Sequence, residues 1–180
     1  MMQFKEMLEK RESLRSYDPE RRPSKEQLYR ILQAARIAPS ACNSQPWRFV
    51  VVNDAELSPQ VAKATQSWGM NKFTSDCPSF IVICEEEAKL AARVVERFAR
   101  QHFAQMDIGL ATMSICFAAL DEGMGTCILG SFDENKLKSL LHIKESEKIR
   151  LVVCVGYPTT DDIRDKKRKD MDEIVEYFGS

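Results

Sequence analysis

Apolar positions along this chain follow two periods, and the change from one to the other marks out its elements. Phe4, Met7 and Leu8 share one face of a predicted helix over 4–11, the i, i+3, i+4 spacing of an amphipathic segment. Leu28, Ile31, Leu32 and Ala35 repeat that spacing. Ser24, with Gln27 three residues later, forms a capping-box pattern ahead of them, and Pro39 discourages the helix from continuing. Continuous apolar runs at 49–52, 80–84, 126–129 and 151–155 have strand length and are bounded by turn residues. Ser58-Pro59 predicts an N-cap and first helical position, opening a helix to about Trp68. Residues 86–105 predict a charged helix with a stripe through Leu90, Val94 and Phe98. Residues 107–121 leave almost no polar face, so that helix is buried, either in a core or between subunits, and Gly123 and Gly125 end it. Asp133 caps a short helix through Leu141, and Gly156-Tyr157-Pro158 ends the last strand. The stretch 161–173 is dense in charge, and a last amphipathic segment reaches Tyr177. Strands and helices mix without an internal repeat, so the class is α/β or α+β, and strand order stays open.

The 180 residues are 44% hydrophobic and 29% charged, which fits one ordered domain over 1–180. A net charge of -1, from 26 basic and 27 acidic residues, argues against a nucleic-acid binder with a wholly basic surface. The N-terminus is charged and has no apolar h-region, so no signal peptide is expected. The apolar runs read as strand-sized, so no membrane span is expected either. Six cysteines, at 42, 77, 84, 116, 127 and 154, form no CxxC and mostly sit inside apolar runs. They read as free buried thiols of a cytoplasmic protein. No GxGxxG, P-loop or GxSxG pattern occurs, and His102 and His142 lack partners at metal-ligand spacing. Neither a metal site nor a side-chain nucleophile is expected.

Four polar constellations remain. Arg11, Ser13 and Arg15 alternate, so they share one side if the segment is extended; guanidinium groups match phosphate oxygens. A solvated helix end is the alternative. Pro39, Ser40, Asn43, Ser44, Gln45 and Pro46 load one short connection with hydrogen-bonding groups between two prolines. Amide side chains there suit the edge of a heterocycle that both donates and accepts, or satisfy only the loop's own backbone. Glycines at 123, 125 and 130 bracket an apolar run and permit a flat ligand to approach the backbone, or serve as cap and turn. Lys166-Lys167-Arg168-Lys169 is a solvated surface run or a further source of cations for a phosphate.

In this order, RESLRSYDPERRPSKEQLYRILQAARIAPSACNSQPWRFVVV, DIGLATMSICFAALDEGMGTCILGSFDENKLKSLLHI and IRLVVCVGYP with its basic tail resemble the signatures of the nitroreductase family, the FMN-dependent NAD(P)H oxidoreductases. The resemblance implies an α+β fold with a mixed, mainly antiparallel sheet flanked by helices, in an interlocked homodimer with FMN sites at the subunit interface. It implies Arg11, Ser13 and Arg15 at the phosphate and pyrimidine side. Pro39, Ser40, Ala41, Asn43 and Gln45 would meet the flavin from the other subunit, and Ile128, Leu129 and Gly130 would lie along the ring system. Arg168, or Lys167, would reach the phosphate, with Asn71 a further candidate from a loosely matched region. Glu12 places a negative charge between the arginines and is expected to point away. The chemistry implied is ping-pong transfer from NADH or NADPH to a nitroaromatic, quinone or similar small acceptor, with the flavin rather than any side chain carrying catalysis. A flavin-storing protein with little turnover, or the same fold used for another flavin reaction, are the alternatives. Residues 54–105 would cover the acceptor pocket, with Trp68, Phe73 and Phe103 open between pocket lining and core.

Overall fold

The computed structural model describes residues 3–179, without the side chains of Trp68, Leu90, Glu96, Phe98 and Ala99. The Leu90 and Phe98 members of the expected stripe, and Trp68 as a lining residue, therefore lie outside the described residues. Four strands, β1 (Trp47–Val52), β2 (Ser79–Glu85), β3 (Gly125–Leu129) and β4 (Lys148–Gly156), form one sheet in the order β1-β2-β4-β3. All three strand pairings are antiparallel, so the fold is α+β with an antiparallel sheet rather than a mixed one. The only parallel contact among the described residues is an isolated bridge, Ser13–Thr126.

Helices cover both faces. Alternate residues of β2 point opposite ways. Phe80, Val82 and Cys84 join Val61, Ala62 and Ala64 of α3 (Leu57–Thr65) and Leu137 of α6 (Glu134–Leu141) in one core. Ile81 and Ile83 join Leu28, Ile31 and Ala35 of α2 (Lys25–Arg36) and Ile108, Ala111, Ile115 and Ala119 of α5 (Phe103–Asp121) in the other. Both sides of β2 are thus buried, which is why its sequence is a continuous apolar run. Each such side chain contributes about 1.5–3 kcal/mol of burial.

Local chemistry set several boundaries differently from expectation. The capping box at α2 forms as read, with Ser24 and Gln27 bonded reciprocally. At α3, by contrast, Asp54 Oδ1 accepts from the backbone N–H groups of Glu56 (2.9 Å) and Leu57 (2.8 Å). Ser58 is inside the helix, its hydroxyl donating to the Pro78 carbonyl at 2.8 Å. The charged helix expected over 86–105 is only α4 (Leu90–Ala99). Upstream, Glu86 N–H donates to Pro46 O (3.1 Å) and Lys89 N–H to Ser44 Oγ (2.7 Å), so the preceding loop takes the backbone donors. Downstream, Arg100 at φ 53 breaks the chain direction before α5.

Helix α5 has 19 residues and by length and composition is apolar enough to cross a membrane. Here its inner face is core, and Met106 and Leu110 are about half exposed on its outer face. The amphipathic segment expected to reach Tyr177 is a single turn, Met171–Glu173, with Ile174, Tyr177 and Phe178 exposed. A segment that short does not hold helical structure without a packing surface.

Five of the six cysteines are buried and only Cys42 is exposed. Burial pushes the Cys84 thiol from 9.0 up to about 11, with Arg48 pulling weakly the other way. Thiol titration of the native protein at pH 8 should therefore find no more than one rapidly reacting group per chain, and all six after unfolding. Two or more fast thiols in the native state would contradict this packing.

Candidate functional site

The first half of the site is built where the N-terminal segment meets the edge of β3. After α1 (Phe4–Lys10) the chain runs extended, and Leu14 N–H donates to Thr126 O at 2.9 Å. The Cβ of an alanine at Gly125 would lie 2.5 Å from Leu14 Cδ2 and 2.9 Å from Leu14 Cβ, so glycine is what lets this segment lie against the strand. Alternation then turns Ser13 and Arg15 to the side opposite Leu14. Burial pushes the Cys127 thiol upward, and the Arg15 guanidinium beside it pulls the other way. Burial likewise raises Cys116 on α5, against hydrogen bonding by Thr126 and the charge of Arg11.

Arg11, Glu12, Ser13 and Arg15 line a cleft of about 260 Å³ whose other wall is Arg164, Asp165, Lys166, Lys167 and Arg168. Six cationic side chains thus face two carboxylates, an arrangement that attracts a small polyanion. Arg164 was not among the expected cations, and Lys166 was expected only as part of the basic run 166–169. The density of charge over 161–173 was a visible signal, but which cations turn inward depends on contacts 150 residues away.

Ile128 is 40% exposed, Leu129 is buried and Gly130 is exposed. Beyond Thr126 the outer edge of β3 has no strand partner among the described residues, so its backbone groups are open to a ligand. An added Cβ at Gly130 would meet nothing within 4 Å. Asn71, in left-handed conformation at φ 56, donates from Nδ2 to Thr65 O (3.0 Å) and Ser131 O (3.2 Å), pinning the end of this edge. Phe73 packs against the core beside Tyr17 rather than lining the cleft.

The second half is the 39–45 loop. Cys42, Asn43 and Gln45 all have φ near 50, a conformation that costs non-glycine residues about 1–3 kcal/mol each and persists only when over-determined. Ser40 Oγ accepts from Gln45 N–H (2.9 Å), and Gln45 Nε2 donates to Asn43 Oδ1 (3.0 Å). Ala41 N–H donates to Asp107 Oδ2 (3.0 Å), and Lys89 Nζ to Asn43 O (2.7 Å). Asp107 is 5% exposed on a largely apolar helix; a buried carboxylate requires a donor, and this signal is visible in the sequence. Among the described residues, Asn43 Nδ2 and Gln45 Oε1 remain without hydrogen bonds. The loop therefore presents one donor and one acceptor outward, beside exposed Pro39.

The two halves do not meet within one chain. The loop leads into β1 and the cleft adjoins β3, the opposite edges of the sheet, about 14 Å apart across three strand spacings. Along α5, the loop is tied at Asp107 and Arg11 lies with Cys116 along a second cleft, about 14 Å further on.

Gly125→Ala is expected to move Leu14 and the arginines with it. The contact to Leu14 Cβ is not relieved by side-chain rotation, so stability should fall by about 1–3 kcal/mol in urea unfolding. Unchanged stability would show that the segment is not seated as described.

The model of the nitroreductase family matches residues 8–69 and 59–157. A protein of Archaeoglobus fulgidus, predicted to be an NADH dehydrogenase/NAD(P)H nitroreductase, is 32% identical over 96% of this chain and 91% of its own. The crystal structure of a nitroreductase family protein from Clostridium novyi NT is 28% identical, with a TM-score of 0.73 over 96% of this chain and 91% of that one. A predicted nitroreductase from Exiguobacterium sibiricum, solved in complex with FMN, shares the fold at 19% identity, with a TM-score of 0.83 over 98% of both chains. Sequence and fold agree over nearly the whole length, and the chain belongs to the nitroreductase family.

Proposed function

We propose that this protein is an FMN-dependent oxidoreductase that takes reducing equivalents from NADH or NADPH and passes them to a nitroaromatic, quinone or similar small acceptor by a ping-pong mechanism. The observation that carries the reading is the split site: an anion-attracting cleft at one sheet edge and a strained, outward-facing amide loop at the other. Each half suits one part of FMN. Arg11, Ser13, Arg15, Lys167 and Arg168 would hold the phosphate. Ile128, Leu129 and Gly130 would offer open backbone along the ring system, with Asn71 fixing the end of that edge. Pro39, Ser40, Ala41, Asn43 and Gln45 would read the heterocycle from a second copy of the chain.

A two-fold homodimer supplies both halves at each site. It also accounts for the half-exposed Met106 and Leu110 of α5 and for the uncovered apolar residues of the tail. The NAD(P)H named for the Archaeoglobus relative supports the choice of donor. Bound FMN supplies the two-electron chemistry between donor and acceptor. The chain's own groups bind and orient it, and cations near the site favour its reduced, anionic form. The reading covers residues 1–180 as one FMN-binding domain of a cytoplasmic protein.

The test is the visible spectrum of the purified protein before and after anaerobic NADH or NADPH, followed by steady-state turnover with a nitroaromatic and a quinone. Flavin bands that bleach, with turnover, are expected. Flavin bands that persist would leave a binding protein without this activity, and no flavin after incubation with FMN would overturn the reading.

A further inference from the structure

We infer that the ion pair between Glu12 and Arg164 is a latch that holds the basic tail at the anion cleft, making Glu12 a positioning residue for the phosphate despite carrying the same sign of charge as that ligand. The inference rests on the FMN reading above.

From Tyr157 the tail runs antiparallel to the segment ending at Asp18. Asp18 N–H donates to Tyr157 O (2.9 Å), Thr159 N–H donates to Ser16 O (3.3 Å), and the Ser16 and Thr159 hydroxyls are 2.6 Å apart. This zipper stops at Thr159. The next attachment is Arg164, whose backbone N–H (3.3 Å) and Nε (3.1 Å) both donate to Glu12 Oε2, while its Nη2 donates to the carbonyl of Ser13. Lys166 Nζ then donates to Glu9 O. One carboxylate therefore fixes both the backbone and the side chain of Arg164, and Arg164 in turn grips the carbonyl of a residue proposed to meet the phosphate.

Glu12 was expected to point away from the arginines; it lines the same cleft, with its carboxylate turned to Arg164. Its side chain is 16% exposed, against 54% for Arg164, so the carboxylate is the shielded member. Lys167 and Arg168 follow within four residues, which confines them to about 14 Å of chain from the clamp. Without it, six cations around one cleft repel each other, and the mostly exposed residues 161–170 have no regular structure to hold them.

The sign of one measurement decides between a latch and a bystander. Removing a carboxylate beside a phosphate site should tighten anion binding if the carboxylate does nothing else. Removing a latch should weaken it. FMN and riboflavin are titrated into flavin-stripped protein at 0.15 M salt, and trypsin cleavage of the unliganded tail is followed in parallel. Glu12→Gln is expected to raise the Kd for FMN about 3- to 10-fold, leave riboflavin within about 2-fold, and speed cleavage after Lys166, Lys167 and Arg168. The double substitution Glu12→Arg with Arg164→Glu restores opposite charges at unchanged net charge, but not the bond from the residue 164 backbone N–H or the one to the Ser13 carbonyl, and is expected to recover part of the FMN affinity. Tighter or unchanged FMN binding by Glu12→Gln overturns the latch and leaves the flavin reading standing. Equal wild-type affinity for FMN and riboflavin, or no binding of either, overturns the phosphate assignment and the latch with it.

Discussion

Alanine at both Arg11 and Arg15 is expected to weaken FMN binding by about 10²- to 10⁴-fold, and riboflavin binding far less. Charge-assisted hydrogen bonds contribute about 1.5–3 kcal/mol each, and about 1.4 kcal/mol is a factor of ten in affinity. The two guanidiniums border the same cleft, and neither forms an ion pair among the described residues. Their removal therefore strands no buried charge, and thermal stability should stay close to that of the wild type. Arg15 is exposed and Arg11 half-buried, so the electrostatic part of the loss should shrink as salt is raised. Titration of the stripped protein by flavin fluorescence at low and high salt gives both numbers. Parallel losses for FMN and riboflavin would mean that the arginines do not serve the phosphate. An FMN affinity unchanged by the double substitution would remove this cleft from the site.

Much of the architecture was legible because burial leaves a periodic trace. The capping box of α2, the apolar character of α5 and the strand-sized runs all correspond to elements found. The pairing sense of the sheet was not legible, for a physical reason. With helices on both faces, β2 is apolar at every position from Phe80 to Cys84, as a central parallel strand also is. Periodicity therefore carries no information about its neighbours' direction. Helix ends failed where a different local cap or a tertiary contact won. Asp54 instead of Ser58 caps α3, and the loop at 44–46 binds the backbone that would have begun a longer α4.

The proposed site was legible as residue types and not as an arrangement. Alternating arginines and a proline-fenced amide loop announce chemistry on their own. Their placement at opposite sheet edges follows only from strand order, and the anchoring of the loop by Asp107 joins positions 66 apart. Glu12 shows the same limit. Its charge looked adverse beside two arginines, and only the course of the tail reveals its partner.

The placement of the two halves makes a second large effect testable, because sharing a site between subunits has an arithmetic consequence. One chain carries Arg11→Ala with Arg15→Ala. The other carries Asn43→Gly with Gln45→Gly, which removes both amides while keeping a residue that tolerates φ near 50. Two different affinity tags isolate the mixed dimer. FMN is set above the wild-type Kd and below those of both altered homodimers, which should then carry almost none. If each site takes its cleft from one chain and its loop from the other, the mixed dimer has one doubly damaged site and one intact site. It should bind about one FMN per dimer, against two in the wild type. If instead cleft and loop of the same chain form a site, both sites in the mixed dimer carry a lesion and flavin should be nearly absent. Within one chain the loop lies across the full width of the sheet from the cleft. A folded protomer would have to move one edge of its sheet past the other to bring them together. Half occupancy is therefore the expected result, and an empty mixed dimer would mean that cleft and loop of the same chain form each site.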